Sequence, residues 1–377
     1  MSTIETLKLH NFRSYREAAL EHLAPGLIVL SGPNGAGKTN ILEAVSLLTP
    51  GRGLRSARTI ELQNRETPDP WAVAAKIRTR YEEANIGTGA DPARQSDKRA
   101  VRINGRPAKS QNSLAEYLPC VWLTPQMDRL FLDSSRERRR FLDRLVFSFD
   151  PGHAGRITRY DNALSQRSKL LREGKGEPAW LDSLEQQMAE TGAAIAAARL
   201  DFTHRLQTAC ENEEGHHFPR ARFTVTGMLE TALSAGKALA VEDAFKDALR
   251  QSRIKDAITG GAAQGPHKSD LTVHYADKNM PADQCSTGEQ KALLIGLILA
   301  HARLIAAARG HPPVLLLDEV AAHLDETRRA ALYEILMELK AQSILTGTDT
   351  DLFKAVRTTA QFFTVEKAII SEIPKAA

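Results

Sequence analysis

Cysteine is scarce in this chain: Cys120, Cys210 and Cys285 are the only three in 377 residues. An odd, widely spaced set gives no disulfide framework, and without a C-x-x-C pair a zinc site is not expected. Long apolar runs are lacking too. The longest, Leu293 to Ala300, is followed at once by His301 and soon by Arg303. It falls well short of the ~18–20 residues that cross a bilayer, so no membrane partner is expected. The opening Met1-Ser2-Thr3-Ile4-Glu5 has neither a basic start nor an apolar signal core, so a cytoplasmic location is expected. Internal repeats and low-complexity tracts are missing as well, which removes solenoids and disordered tails from consideration.

What is there is ordinary in bulk and uneven in detail. The hydrophobic share is 42% and the charged share 25%, as in soluble globular chains. The length allows roughly two to three domains. Net charge is only +4, yet between Ser134 and Lys175 eleven Lys and Arg face five Asp and Glu. A locally basic segment points to a polyanion more than a basic average does. A solvated helix face or internal ion pairs are the competing explanation.

Periodicity divides the chain into α/β ends and a mainly helical middle. Strands are expected at 4–9, 26–30, 60–62, 71–79, 101–103, 120–123, 314–317, 343–346 and 362–365. Residues 82–100 read as a polar excursion. Helices are expected at 38–48, 289–308 and 328–339. In the middle, Ser134-x-x-Glu137 is a capping box that opens a helix. Further helices are expected at 156–172, 179–210 and 241–251, with strands at 223–225 and 271–275. Over 179–210 a heptad seam runs through Leu181, Leu184, Met188, Thr191, Ile195, Ala198, Phe202, Arg205 and Ala209. Such a helix is about 48 Å long at ~1.5 Å per residue, a short antiparallel hairpin rather than a long coiled coil.

The sharpest signal is Gly32-Pro33-Asn34-Gly35-Ala36-Gly37-Lys38-Thr39, followed by Asn40, between an expected strand and an expected helix. Glycines allow the backbone to wrap with its N–H groups inward, and the helix N-terminus adds its dipole, so the loop cradles phosphate. Lys38 reaches the β- and γ-phosphates and Thr39 holds Mg²⁺. Val314–Leu317 then delivers Asp318 as a second Mg²⁺ ligand. Glu319 beside it either orients or deprotonates the attacking water, or is a structural carboxylate. Lys38 and Asp318 are 280 positions apart, so something sizeable is inserted in an ATP-binding domain. A third piece, Ser286-Thr287-Gly288-Glu289-Gln290, opens a long helix 32 residues before Asp318. It makes a second anion-binding N-terminus. One domain has little use for two such sites on one nucleotide. Two copies related by a two-fold axis solve this, each capping the ATP of the other.

These motifs resemble the ATP-binding-cassette ATPases of the branch that contains the SMC proteins and RecF, with the greatest similarity to the RecF family. The likeness covers most of the chain. It includes Leu9-x-Asn11-Phe12-Arg13-Ser14-Tyr15, the Walker A loop Gly32–Thr39 and Ile103-Asn104-Gly105-Arg106. Thr124-Pro125-Gln126-Met127-Asp128 stands at the Q-loop position, which makes Gln126 a catalytic and Mg²⁺-ligand candidate. Arg138-Arg139-Arg140-Phe141-Leu142-Asp143 and Gly265-Pro266-His267-Lys268-Ser269-Asp270-Leu271 resemble RecF segments. Ser286–Gln290 is the signature loop, Asp318-Glu319 the Walker B pair and Ala322-His323-Leu324-Asp325 the D-loop. The γ-phosphate switch lies within Thr346-Gly347-Thr348-Asp349, its identity open.

The fold implied is an α/β, ABC-type P-loop ATPase lobe built from both chain ends, 1–130 and 266–377. A mainly helical domain with a short antiparallel hairpin is inserted at 131–265. The resemblance implies ATP and Mg²⁺ as cofactors and a weak, DNA-stimulated ATPase. It also implies an ATP-dependent homodimer closing on double-stranded DNA near ss/ds junctions. Recombinase loading at gaps, the SOS response, and the RecR and RecO mediators as partners follow from the same likeness. Candidate phosphate contacts are Arg52, Arg55, Arg58, Arg106 and the Arg136–Arg144 cluster. Arg138–Arg140 either touch DNA or brace the ATPase lobe against the helical domain. Basic residues do not alternate with aromatics, so phosphate-dominated binding is expected over base stacking. His216-His217 is expected to be a surface loop rather than a metal site. Two other functions share the ATP motif: the motor of a membrane transporter, disfavoured by the large insertion, and an ATP-binding clamp without turnover, disfavoured by Glu319.

Overall fold

The computed structural model describes residues 2–67, 69–79, 81–91, 99–174, 177–211 and 217–374. Contacts divide the chain into two compact units. One comprises Met1–Asp128, Gly215–Phe218 and Thr287–Ala377, the other Arg129–Glu214 and Pro219–Ser286.

In the first unit, β1 (Thr3–Phe12), β2 (Tyr15–Leu20), β4 (Ala72–Arg78), β5 (Glu83–Gly89), β6 (Ala100–Ile103) and β7 (Arg106–Pro107) form an antiparallel sheet in the order β2-β1-β4-β5-β6-β7. A second sheet has the order β15-β14-β3-β13-β12-β8. Its strands are β3 (Leu27–Ser31), β8 (Cys120–Leu123), β12 (Val314–Leu317), β13 (Ser343–Gly347), β14 (Gln361–Glu366) and β15 (Ile369–Ile373). All its pairings are parallel except β14 with β15. Leu7, Leu9, Val73 and Ile77 of the first sheet share one buried cluster with Ile28, Leu30, Leu316, Ile344 and Phe363 of the second. Ile41, Leu42 and Val45 of α1 (Lys38–Ser46) belong to the same cluster. Each such side chain contributes about 1.5–3 kcal/mol by leaving water. Strands β3, β8, β12 and β13 are buried along their whole length, which is why they read as unbroken apolar runs.

Helix α8 (Thr287–Arg309) is long and apolar enough to cross a membrane, yet most of it is buried inside this unit. Leu293–Ala302 are buried on all sides, the pattern of a core helix. Helix α9 (Glu326–Glu338) is capped by the Asp325 carboxylate, which accepts from Arg328 N.

The second unit contains α2 (Ser135–Phe149), α3 (Gly152–Glu173), α4 (Pro178–Glu211), α5 (Met228–Ala235), α6 (Ala238–Gln251) and α7 (Arg253–Thr259). A small sheet, β11-β10-β9, joins β9 (Ala221–Thr226), β10 (Asp270–Tyr275) and β11 (Met280–Pro281). Helices α3, α4, α5 and α6 share a core that includes Tyr160, Leu184, Met188, Ile195, Leu229 and Phe245. The pairing of β10 with β9 draws 266–286 into this unit, whereas the sequence reading groups that stretch with the ATPase lobe.

Other differences have local causes. Thr59–Leu62 is a 3₁₀ turn with Ile60 68% exposed, since three residues are too few to show a period. The polar excursion at 82–100 holds β5, whose Ala84, Ile86 and Thr88 face inward while Gly87 and Gly89 weaken the strand signal. The heptad seam of α4 holds from Leu181 to Phe202, with Ala198 only half-buried, and then fails. Arg205 is exposed, and burial passes to Thr203, Leu206 and Cys210. A straight helix drifts by ~20° per heptad against a seven-residue repeat, so the buried stripe follows a 3.6 period around α4.

Candidate nucleotide site

Four parallel strands end on one edge of the second sheet. Register places Ser31 opposite Gly347, Leu317 opposite Leu345, and Leu123 opposite Leu317. The residues that follow each strand therefore gather at the carboxyl edge, where open α/β sheets bind ligands. They are the loop 32–37, Asp318-Glu319, Gln126 and Thr348-Asp349.

The loop needs its glycines. Gly32, Gly35 and Gly37 have φ of 150°, 78° and 115°. A Cβ on Gly32 would lie 2.1 Å from Val365 O, and one on Gly37 would lie 2.5 Å from the Tyr15 hydroxyl. Asn34 and Gly35 are exposed, while Ala36, Gly37 and Lys38 are buried. Lys38 Nζ donates to Gly32 O (2.6 Å) and Pro33 O (3.0 Å). Burial pulls the Lys38 pKa below the ordinary lysine value, while the Glu319 and Asp318 carboxylates oppose that shift.

Thr39 Oγ1 donates to the Asp318 carboxylate, 3.0 and 3.1 Å from its two oxygens. Thr346 Oγ1 donates to Asp318 Oδ1 (2.8 Å) and accepts from Glu319 N (2.9 Å). Buried Thr346 is thus committed to the Walker B strand, while Thr348 and Asp349 are exposed. Glu319 sits in the left-handed region at φ 54°, a conformation that costs a non-glycine residue energy and clusters at functional positions. A hydroxyl and a carboxylate meeting at this edge are hard oxygen donors, suited to Mg²⁺. No cluster of three His, Cys, Asp or Glu able to hold a metal occurs among the described residues, so a cation here would complete its shell with phosphate and water. Gln126 is exposed on the turn after β8. Two residues on, Asp128 pairs with Lys291 at 3.0 Å, which ties this turn to the first turns of α8. Ser286, Thr287 and Gly288 are exposed, and Glu289 is half-buried.

Some supporting groups carry no motif signal. Glu43 on α1 is fully buried and takes a two-point bond from Arg13 (2.7 and 2.8 Å) and another from Arg55 (3.0 Å). Arg55 also donates to Asn40 Oδ1 at 2.8 Å, so its charge is turned inward, away from the role of a DNA contact. Arg99 donates to Leu47 O, Thr49 O (2.5 Å) and Gly51 O (3.1 Å). A cation is favourable at this C-terminal end of α1, and burial pulls its pKa down to about 10.

The arginine cluster of α2 also divides. Arg138 makes a two-point bond to Asp270 (2.9 and 2.6 Å), Arg139 donates to Ser269 O (2.5 Å) and Arg140 pairs with Glu137 (2.7 Å). Arg144 lies over the Phe141 ring, and Arg136 is exposed. Asp143 is held by Arg199 (2.8 and 2.9 Å) and His153 (2.9 Å). Pro266 O accepts from Arg199 at 2.7 Å, and His267 joins the Tyr160 hydroxyl (2.7 Å) and Ala262 O (3.0 Å). The two sequence segments, 138–143 and 265–271, thus fasten to each other inside one unit. Arg58 pairs with Glu61 (2.8 Å), while Arg52 and Arg106 are exposed. His217 is exposed, and His216 lies outside the described residues.

The two sheets, the phosphate loop and the paired Thr39 and Asp318 define an ABC-type ATPase fold. The chain belongs to the RecF family: the description "RecF/RecN/SMC N terminal domain" matches residues 3–371. It is similar to the DNA replication and repair protein RecF of Rhizobium rhizogenes, 48% identical over 96% of both chains. It is also similar to that of Mesorhizobium japonicum, 47% identical over 97% of both. A solved structure of the recombination mediator protein RecF with ATP superposes with a TM-score of 0.83 at 23% identity over 99% of both chains. The Smc head domain from Pyrococcus furiosus gives 0.54 at 17% identity, over 99% of this chain and 96% of that one.

Proposed function

We propose that the chain is an ATP-dependent DNA-binding repair protein, in which ATP closes two copies on duplex DNA near single-strand gaps and hydrolysis releases them. The observation that carries this is the meeting of Thr39, Asp318 and Thr346 beside a glycine loop that holds the buried Lys38. The relatives named for DNA replication and repair support the DNA assignment. RecR and RecO as mediators, and recombinase loading at gaps, rest on that kinship alone.

In this reading the loop 32–37 and the first turn of α1 wrap the phosphates with backbone N–H groups. Lys38 exchanges the carbonyls of Gly32 and Pro33 for phosphate oxygens. Thr39 and Asp318, with Gln126 as a further candidate, would hold Mg²⁺, which supplies charge stabilisation at the phosphates. Glu319, fixed through its backbone by Thr346, orients or deprotonates water. Ser286, Gly288 and Glu289 cap the γ-phosphate of the partner copy, which fits their position at the open end of α8. Of the candidate arginines, Arg52, Arg58, Arg106 and Arg136 have exposed side chains and are assigned here to sequence-independent phosphate contact.

Duplex-binding titrations over a salt series test the DNA assignment. Affinity falls steeply with salt if phosphates are the partner. A flat response points to a protein partner, and turnover that ignores DNA would favour the transporter-motor alternative.

A further inference from the structure

Tyr15 is fully buried, and its hydroxyl has no hydrogen-bond partner among the described residues. Native proteins leave few polar groups in that condition, and each calls for an explanation. Its place supplies one. The two-residue turn between β1 and β2, Arg13-Ser14, and the following Tyr15 meet α1 at three successive levels. Arg13 bonds Glu43, Ser14 Oγ accepts from Asn40 Nδ2 at 2.9 Å, and the Tyr15 ring tip fills the space where Gly37 lacks a side chain. The helix positions touched, 43, 40 and 37, lie three apart along one face. The turn itself is strained: Arg13 has φ 53°, held by Arg13 N donating to Leu62 O at 2.8 Å. Burial pushes the Tyr15 phenol pKa well up, so the group stays protonated and able to donate.

We infer that Tyr15 is a positioning residue for the phosphate loop, whose buried hydroxyl gains a loop-backbone hydrogen bond when a nucleoside polyphosphate draws Gly32–Thr39 around itself. The loop carbonyls of Gly32 and Pro33 are turned onto Lys38. Phosphate takes Lys38 from them and rearranges the loop next to Gly37. A hydroxyl stored there without a partner lowers the stability of the empty chain and adds to that of the loaded one. This inference rests on the nucleotide-site reading above.

Tyr15→Phe separates the two states, because it removes one oxygen and keeps the ring that packs on Gly37. The full-length chain is melted without nucleotide, and ATP and ADP affinities are measured with Mg²⁺. The expected result is an unchanged or raised melting temperature for the empty variant, with affinity for both nucleotides reduced about tenfold, equivalent to about 1.4 kcal/mol. Undiminished affinity in the variant, or a loss matched by a fall in the stability of the empty chain, overturns the inference. A wild-type chain that binds neither nucleotide overturns the site reading instead, and this inference with it.

Discussion

The Thr39 hydroxyl and the Asp318 carboxylate lie 3.0 Å apart although 279 positions separate them in the chain. The contact joins the phosphate-loop helix α1 to the end of β12 and marks where a cation would sit. Asp318→Asn preserves an acceptor for Thr39 and removes the charge. ATP affinity measured with Mg²⁺ is expected to fall at least about tenfold, roughly 1.4 kcal/mol. The difference from wild type should disappear when Mg²⁺ is chelated. A deficit that persists without Mg²⁺ assigns Asp318 a structural role only.

Glu319 is held in a left-handed backbone conformation beside that site. Glu319→Gln keeps the shape and removes the base. Steady-state hydrolysis is expected to drop by about 10²–10⁴-fold, with nucleotide affinity retained and ATP-bound complexes accumulating on duplex DNA. Turnover at the wild-type rate removes Glu319 from the chemistry.

Arg138 is committed to Asp270, both side chains being mostly buried. Arg138→Ala leaves a carboxylate without its partner, and unfolding in urea should show a loss of about 1–3 kcal/mol. Duplex affinity of the folded variant should be unchanged. Arg106→Ala, at an exposed turn, should instead leave stability unaltered and weaken duplex binding. The reverse pattern would restore Arg138 as a DNA contact.

His267 is half-buried beside Lys268, Arg139 and Arg199, with Tyr160 and Ala262 O bonded to its ring. Burial first, then those cations, lowers its pKa below the ordinary histidine value, against the pull of Ala262 O. The unfolded chain therefore binds the proton more readily. The stabilisation is complete above about pH 6.5 and is lost as pH falls through the folded value. Thermal unfolding from pH 8 to pH 5 should show the wild-type melting temperature declining at the acid end. His267→Gln should decline less over the same range. Parallel slopes for the two proteins would exclude His267 as the group responsible.

Much of this is legible in the sequence alone, for identifiable reasons. The parallel strands announced themselves because burial on both faces demands continuous apolar residues, as at Val314–Leu317. The glycine loop was legible because its backbone conformations exclude side chains at Gly32 and Gly37. The roles of Glu43, Arg99 and Tyr15 are not legible there, since they come from partners far away in sequence, such as Leu47 O for Arg99 and Gly37 for Tyr15. Composition showed a basic cluster at 136–144, but only contacts separate Arg138, bound to Asp270, from Arg136, which is exposed. Strand β5 was hidden because glycine at 87 and 89 masks an inward row that still alternates.

In the proposed dimer, two copies complete each other's nucleotide sites through the exposed Ser286-Thr287-Gly288 segment at the start of α8. Sedimentation velocity with and without ATP, on wild type and Ser286→Arg, tests it most directly. The wild type is expected to pass from monomer to dimer on addition of ATP, while Ser286→Arg binds ATP with normal affinity and stays monomeric. A Ser286→Arg chain that dimerises normally, or a wild-type monomer that hydrolyses ATP at full rate at limiting dilution, would contradict the shared-site account.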